Sequence, residues 1–196
     1  MTDFFMALVH YPVYNKNRAV IASALTTVDL HDLARLSATY GLSGFYVVSP
    51  VKDQMKVAEE MIEHWVRGWG ATYNRNRSEA LSLIRLADDI GAARADVLSR
   101  TGDEPLLIGT SAAEGPDRTA FGEMKPYLRG SRPVLLLLGT AWGLSEKTLA
   151  DCDIILEPVL GRTPYNHLSV RSAAGIILDR LLEGSQATME GKKWTP

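Results

Sequence analysis

The feature that most constrains this sequence is the stretch Arg132–Leu182, in which two short apolar runs each end in a polar loop. The runs Val134–Leu138 and Asp153–Leu156 predict buried strands, and the loops after them are rich in Gly, Pro, Thr and Asn. An apolar helix is predicted to follow at about Leu168–Leu182. Strand, loop, strand, loop and helix in this order are typical of α/β proteins that bind ligands at the carboxyl ends of their strands.

The remainder of the chain also alternates between apolar runs and helical patterns. Further strands are predicted at Phe4–Val9, Phe45–Ser49, Ile84–Ala87 and Pro105–Gly109. One helix is predicted to begin with Asp29 as its N-cap and to end at Gly41. We therefore predict an α/β fold with one mostly parallel sheet covered by helices on both faces.

Length and composition limit the classes of protein that this chain can represent. Its 196 residues suffice for one domain with a full core, which we expect over 1–184, with a frayed C-terminal tail at 185–196. The single cysteine, Cys152, excludes an intrachain disulfide, and the four histidines lie too far apart in sequence to suggest a metal site. No apolar run approaches the roughly 20 residues that a membrane span needs. We expect a cytoplasmic protein without metal.

The net charge of −2 gives no general attraction to nucleic acid, so any such binding must use a local basic patch. Two segments, YNKNR at 14–18 and YNRNR at 73–77, mix aromatic, amide and basic side chains as RNA-contacting loops often do. Solvated surface loops are the alternative for both. Asn76 with Glu79 also resembles a capping box for a short helix after the second segment.

Polar loops after three predicted strands are the candidate ligand site. The loop after the predicted strand Val134–Leu138 contains Gly139 and Gly143, which allow the backbone to approach a ligand closely. Leu138 and Thr140 belong to the same candidate site. The alternative there is a plain strand-to-helix turn in which Trp142 caps the core. The remaining candidates are Thr110 and Ser111, then Glu157, Pro158 and Val159, and finally Asn166, His167, Leu168 and Ser169. Helix capping by Asn166 or Ser169 is an alternative that is compatible with binding.

Two stretches resemble motifs of the SPOUT class, the α/β-knot RNA methyltransferases that use S-adenosylmethionine. Asp29–Val48 is similar to the first SpoU-type motif, because Arg35 stands six residues after Asp29 and an aromatic-Gly pair precedes a strand. Asp29 itself stands where the motif has Asn. Val134–Leu144 resembles the second motif, with Thr-Ala-Trp-Gly where that motif has Asn-Glu-Gly.

A third stretch, Ile155–Leu182, resembles the third motif, with Pro158 after a strand and Asn166 before an apolar helix. The phrases HYPVYNKN, GTAWGL and YNHLSVRSAA are similar to those of a small bacterial SPOUT family. Members of that family occur alone or fused to a tRNA guanine-N1 methyltransferase.

The resemblance implies a C-terminal trefoil knot, a homodimer, and S-adenosylmethionine bound by the loops named above. It implies an RNA substrate, tRNA or rRNA, with Arg35 near the acceptor and Asn166 orienting the substrate. His167 is a candidate for proton transfer, although a histidine bonded to backbone at the helix start is the alternative.

Two other classes remain open at this point. A SPOUT-fold module that binds S-adenosylmethionine or RNA without catalysis is favoured by the replaced residues of the first two motifs. A flavodoxin-like nucleotide or signalling domain fits the alternation of elements but not the spacing of the motifs.

Overall fold

Within residues 2–182, which the computed structural model describes, six parallel strands form one sheet. The strands of the chain are β1 (Phe4–Val9), β2 (Val13–Tyr14), β3 (Val20–Ile21), β4 (Gly44–Val48), β5 (Ile84–Ala87), β6 (Leu106–Gly109), β7 (Val134–Gly139) and β8 (Ile154–Ile155). The order across the sheet is β5-β4-β1-β7-β6-β8. The predicted parallel sheet is confirmed.

Helices follow most of these strands. They are α1 (Thr27–Thr39), α2 (Lys52–Val66), α3 (Trp69–Tyr73), α4 (Arg75–Leu81), α5 (Ile90–Thr101), α6 (Lys125–Leu128), α7 (Glu146–Ala150) and α8 (Val170–Leu182), with a 3₁₀ turn at Phe121–Met124. None of the helices in this part of the chain is long and apolar enough to cross a membrane.

The sheet is buried on both faces, and strand β1 shows why. Alternate side chains of a strand point to opposite faces. Phe4, Met6 and Leu8 belong to one apolar cluster, whereas Phe5, Ala7 and Val9 belong to the other. Each cluster packs against helices on its own face of the sheet. Because both faces are covered, β1 and its neighbour β7 each consist of an almost continuous run of apolar residues, as central parallel strands do.

The start of helix α1 differs from the prediction. Thr26, not Asp29, is the N-cap, and its hydroxyl accepts a hydrogen bond from the Asp29 N–H at 3.2 Å. The Thr26 hydroxyl in turn donates to the Asp29 carboxylate at 2.6 Å. Asp29 thus lies in the first helical turn, where a carboxylate stabilises the helix N-terminus. The helix ends as predicted, because Gly41 has a positive φ of 67°.

The two segments that were predicted to be basic loops contain regular structure. The first lies at the antiparallel hairpin of β2 and β3, in which Val13 pairs with Ile21. The second spans the end of α3 and the start of α4, and Asn74 is the N-cap, with its side chain accepting from the Arg77 N–H at 2.9 Å. The N-cap predicted at Asn76 is therefore wrong, because the helix is capped two residues earlier, at Asn74.

Two predictions about the C-terminus stay predictions. The tail predicted at 185–196 lies outside the described residues. The trefoil knot that the resemblance implies stays a prediction.

Candidate functional site

A cavity of about 560 Å³ lies at the carboxyl ends of β6, β7 and β8. Twelve residues that the sequence predicted for the site line it: Thr110, Ser111, Leu138, Gly139, Thr140, Gly143, Glu157, Val159, Asn166, His167, Leu168 and Ser169. Three separate stretches of sequence therefore converge on one cavity, as the parallel strand order requires.

Two predicted site residues do not line this cavity. Pro158 is buried, whereas its neighbours Glu157 and Val159 line the cavity. Arg35 is exposed and lines a second cavity of about 480 Å³ between α1 and α4. Arg35 follows Asp29, which does line the first cavity, by six residues on α1, so the two side chains leave the helix roughly 120° apart.

The lining also includes residues that were not predicted for the site. Ser23, Ala24 and Asp29 come from the extended segment before α1 and from its first turn, and Ala173 and Ile177 come from α8. The segment at 23–24 carries no motif and no periodicity, so only its path in the fold reveals it.

The turn after β7 is held against the start of the chain. A Cβ at Gly139 would lie 2.5 Å from the Leu144 backbone nitrogen, so only glycine fits there. The Trp142 N–H donates to the Tyr14 carbonyl at 2.9 Å, and the Tyr14 N–H donates to the Gly143 carbonyl at 3.0 Å. The hairpin of β2 and β3 thus fixes the turn that forms one wall of the cavity.

Trp142 itself is 60% exposed at the edge of the cavity. The alternative that it caps the core is therefore wrong. Its neighbour Ala141 has a positive φ of 51° in a tight turn that the Gly143 N–H closes by donating to the Thr140 carbonyl at 2.9 Å.

A row of hydroxyl groups connects the cavity to a buried histidine. The Thr140 hydroxyl donates to the Val9 carbonyl at 3.0 Å and lies 2.5 Å from the Ser23 hydroxyl, which lies 2.9 Å from His10 Nδ1. Since Thr140 uses its only proton on Val9, Ser23 donates to Thr140 and accepts from His10. His10 is thus the tautomer protonated at Nδ1.

His10 is fully buried, and within residues 2–182 its Nε2 atom has no hydrogen-bond partner. Burial lowers the pKa of His10 from 6.5 to about 4, although the negative charge of Asp29 acts in the opposite direction. His10 is therefore neutral at pH 7 and holds the orientation of the two hydroxyls.

The loops after β6 and β8 are tied to each other and to the sheet. The Thr110 hydroxyl donates to the Leu137 carbonyl at 2.8 Å, and the Asn166 amide donates to the Ala112 carbonyl at 2.7 Å. One carboxylate oxygen of Glu157 accepts from the Phe121 N–H at 2.9 Å. These bonds close the cavity on the side opposite the Thr140 turn.

The first turn of α8 completes the lining. Ser169 is its N-cap, because its hydroxyl accepts from the Ser172 N–H at 3.2 Å, so Ser169 rather than Asn166 has the capping role. Arg171 forms ion pairs with Asp29 and, at 3.2 Å, with Asp32. Because both carboxylates lie on α1, this arginine fixes the start of α8 relative to α1.

One carboxylate without an ion-pair partner in residues 2–182, that of Glu157, lines the cavity. Asp29 also lines it but is paired with Arg171, and among the residues described no lysine or arginine belongs to the lining. Apolar side chains, including Leu138, Val159 and Leu168, form much of the remaining lining. Such a cavity suits a ligand with an apolar or aromatic body and a positive charge.

Other chemistry is not supported by the part of the chain that the structure describes. It contains no group of three potential metal ligands. Burial, followed by the charges of Asp153 and Asp151, raises the pKa of Cys152 to about 12, so its thiol is not a nucleophile at neutral pH.

Comparison with known proteins identifies the family. Residues 3–183 match a family described as SAM-dependent RNA methyltransferase. The chain belongs to this family. A tRNA (guanine-N(1)-)-methyltransferase of Nitratidesulfovibrio vulgaris is 46% identical over 92% of this chain and 42% of that protein. The chain thus spans less than half the length of that relative.

Two further comparisons extend the family and the fold. An uncharacterized protein of Aquifex aeolicus is 36% identical over 91% of this chain and 88% of its own length. The crystal structure of the TrmH/SpoU tRNA modifying enzyme of Aquifex aeolicus has a TM-score of 0.54 at 14% identity, covering 92% of this chain and 74% of that one. The chain therefore has the α/β fold of the SPOUT class, as predicted.

We expect the stability of the protein to fall between pH 6.5 and pH 4 because of His10. In that range the unfolded chain binds a proton at His10 that the folded chain does not bind, so acid favours unfolding by up to about 1.4 kcal/mol per pH unit. His10→Asn keeps a donor near Ser23 and removes the titrating group. Urea unfolding at pH 7, 6 and 5 should therefore give a shallower pH slope for the variant. Equal slopes would contradict the assignment.

Proposed function

We propose that this chain is an S-adenosylmethionine-dependent methyltransferase that acts on tRNA or rRNA and binds its cofactor in the 560 Å³ cavity. The observation that carries the proposal is the lining: apolar walls and the carboxylate of Glu157, with no lysine or arginine among the residues described. S-adenosylmethionine carries a sulfonium, an ammonium and a carboxylate group besides its aromatic base, and the base and the two positive groups match this lining. The bound cofactor would supply the methyl group.

The chain's own residues would bind and orient the two substrates. Leu138 and Leu168 would pack on the adenine, and Glu157 would stabilise the positive end of the cofactor. In the residues described, the Asn166 amide oxygen has no protein partner, so it can accept a bond from the acceptor nucleotide while its NH₂ group holds Ala112. Orientation of this kind can lower a reaction barrier by roughly 7–11 kcal/mol in the best model reactions.

Arg35 would act on the RNA side. It lies outside the cofactor cavity, on the same helix as Asp29 and about two turns farther on. A planar guanidinium at this position can hold a phosphate with two parallel hydrogen bonds. It is exposed and makes no ion pair within residues 2–182, so it is available for a ligand.

Two predictions from the sequence remain proposals of the same kind. His167 lines the cavity and contacts Tyr165 edge to face at 5.3 Å, a position compatible with proton transfer.

The cytoplasmic location also stays a prediction.

Retained catalysis is favoured over a non-catalytic binding module. Asp29, which stands in place of the motif's asparagine, is matched by Arg171, so its charge is compensated within the fold. A flavodoxin-like nucleotide site is not favoured, because residues 3–183 match the SAM-dependent RNA methyltransferase family.

We expect Gly139→Ala to weaken S-adenosylmethionine binding at least tenfold, measured by calorimetry. The new methyl group would overlap the Leu144 backbone, and such overpacking costs typically about 1–3 kcal/mol. Gly161→Ala is the control, because a Cβ there meets nothing within 4 Å. Ser169→Ala should also reduce affinity, since it removes the cap of α8. Absence of binding by the unaltered protein at millimolar cofactor would refute the cofactor site.

We expect the protein to transfer labelled methyl groups to total RNA from a strain that lacks it, and Arg35→Ala to abolish this transfer. Cofactor affinity should stay unchanged, because Arg35 does not line the cofactor cavity. Lys56→Ala, which removes an exposed cation from α2, is the matched control and should retain full activity. If Arg35→Ala lowered cofactor affinity as much as turnover, its assignment to the RNA side would be wrong.

We also propose a homodimer through α8. Ala174, Ile177 and Leu178 of this helix are buried, but Ile176 is only half-buried. A half-exposed apolar side chain there allows a second copy to pack on it.

Small-angle scattering at micromolar concentration should give the mass of a dimer, and Ile176→Arg should give a monomer. Val57→Arg is the control, because Val57 is an exposed apolar residue on α2, a helix outside the proposed interface. A monomeric parent protein would rule out this interface.

A further inference from the structure

The surface formed by α3 and α4 carries two exposed aromatic rings stacked on each other. The ring centroids of Trp69 and Tyr73 lie 4.7 Å apart, with an interplanar angle of 20°. Trp69 is 66% exposed and Tyr73 is 68% exposed. Large aromatic side chains so exposed are a feature of binding surfaces, because burial of their rings strongly favours association.

This pair is held on a fixed support. A Cβ at Gly70 would lie 2.6 Å from the Trp65 ring, so glycine allows α3 to pack directly on α2. The Arg77 guanidinium covers the Trp65 ring at 4.8 Å from its centroid. The chain therefore presents Trp69 and Tyr73 on a packed helix rather than on a free loop.

Positive charge surrounds the aromatic pair. Four arginines lie on or beside this surface, namely Arg35, Arg67, Arg75 and Arg77. Only two of them form ion pairs within residues 2–182, Arg67 with Glu63 at 3.3 Å and Arg75 with Glu79 at 3.1 Å. Both pairs are exposed, so they are weak and can exchange for other anions. The surface is thus locally basic on a chain whose net charge is −2.

This surface borders the second cavity, and helix α1 contributes residues to both cavities. Asn74, the residue after Tyr73, lines the second cavity together with Arg35, Asn76 and Arg77. Arg35 lies roughly 9 Å along α1 from Asp29, which lines the first cavity. A strand of RNA with one nucleotide at the cofactor cavity can therefore reach this surface with the nucleotides that flank it.

We propose that the surface of Trp69, Tyr73, Asn74, Arg35 and Arg77 binds unpaired nucleotides of the RNA substrate that flank the methylated one. Bases extend the aromatic stack, and phosphates bind to the two arginines without ion-pair partners. Stacking of bases on aromatic side chains beside cations is the usual mode of single-strand binding. This inference rests on the proposed RNA methyltransferase function and adds where the RNA binds.

The test compares RNA binding by variants of the aromatic pair, with total tRNA from a strain lacking the protein as the probe. Stacking is worth about 1–3 kcal/mol per base, so Trp69→Ala with Tyr73→Ala should weaken binding at least tenfold. Trp69→Phe with Tyr73→Phe keeps two rings and should bind within about threefold of the parent. Tyr127→Ala removes an exposed aromatic residue of α6 and is the control for loss of surface area.

Steady-state kinetics separate this proposal from the function on which it rests. The double alanine variant should raise the KM for tRNA at least tenfold and leave the KM for S-adenosylmethionine unchanged. If the parent protein transferred methyl groups but the double alanine variant kept the RNA affinity and the KM of the parent, the proposed RNA-binding surface would be wrong and the proposed function would stand. A parent without methyl transfer or cofactor binding would instead overturn the proposed function.

Self-association is the competing use of the same surface. Sedimentation of the double alanine variant should show the same oligomeric state as the parent. If the double alanine variant dissociated into monomers but each folded chain still bound RNA with the affinity of the parent, the surface would be an interface between copies. The proposal would then be wrong.

Discussion

The close approach of Gly139 to the backbone of Gly143 and Leu144 is the constraint on which the site depends. It folds the chain back at the end of β7, a central strand whose residues pair with β1 on one side and β6 on the other. The turn that results bonds to Tyr14 of the hairpin and to Val9 at the end of β1. A larger residue at Gly139 would therefore displace the cavity wall and the hydroxyl row that leads to His10 in one step.

Asp29 is the second point at which the fold and the site meet. Its carboxylate accepts from Thr26 and pairs with Arg171, so one side chain stabilises the start of α1 and connects it to the start of α8. The Asp29–Arg171 pair is largely buried, so removal of one partner leaves the other charge partly desolvated. Its removal therefore lowers the free energy of unfolding by more than the loss of a surface ion pair does. The SPOUT motif has asparagine here, and the aspartate of this chain is accompanied by an arginine that neutralises it.

Much of the fold was predictable because its signals are local. Strands such as Phe4–Val9 and Ile84–Ala87 are apolar runs between breakers, and they appear in the structure with those bounds. Helix starts were less predictable, since Thr26 and Asp29, or Asn74 and Asn76, are capping residues a few positions apart. Only the contacts of the helix with the sheet and its neighbours decide which one caps, because propensity differs little between them.

Part of the candidate site was also predictable from the sequence, for a related reason. Loops after parallel strands converge whatever their side chains, so the order of elements alone predicted that the loops at Thr110, Gly139 and Ser169 would form one cavity. Trp142 and Ser23 could not be placed in this way. The exposure of Trp142 depends on the turn that contains Ala141, and the position of Ser23 beside the cavity depends on the hairpin of β2 and β3.

What the sequence by itself determined is the alternation of strands and helices, the family, and the loops that carry the site, because each is written in residues close together along the chain. What only the tertiary structure decided is which side chains share a cavity. Arg35 and Asp29 are six residues apart in one motif, yet the helical rotation between them directs Asp29 to the first cavity and Arg35 to the second. His10, Ser23 and Thr140 are far apart in sequence and meet because β1 and β7 are neighbours in the sheet.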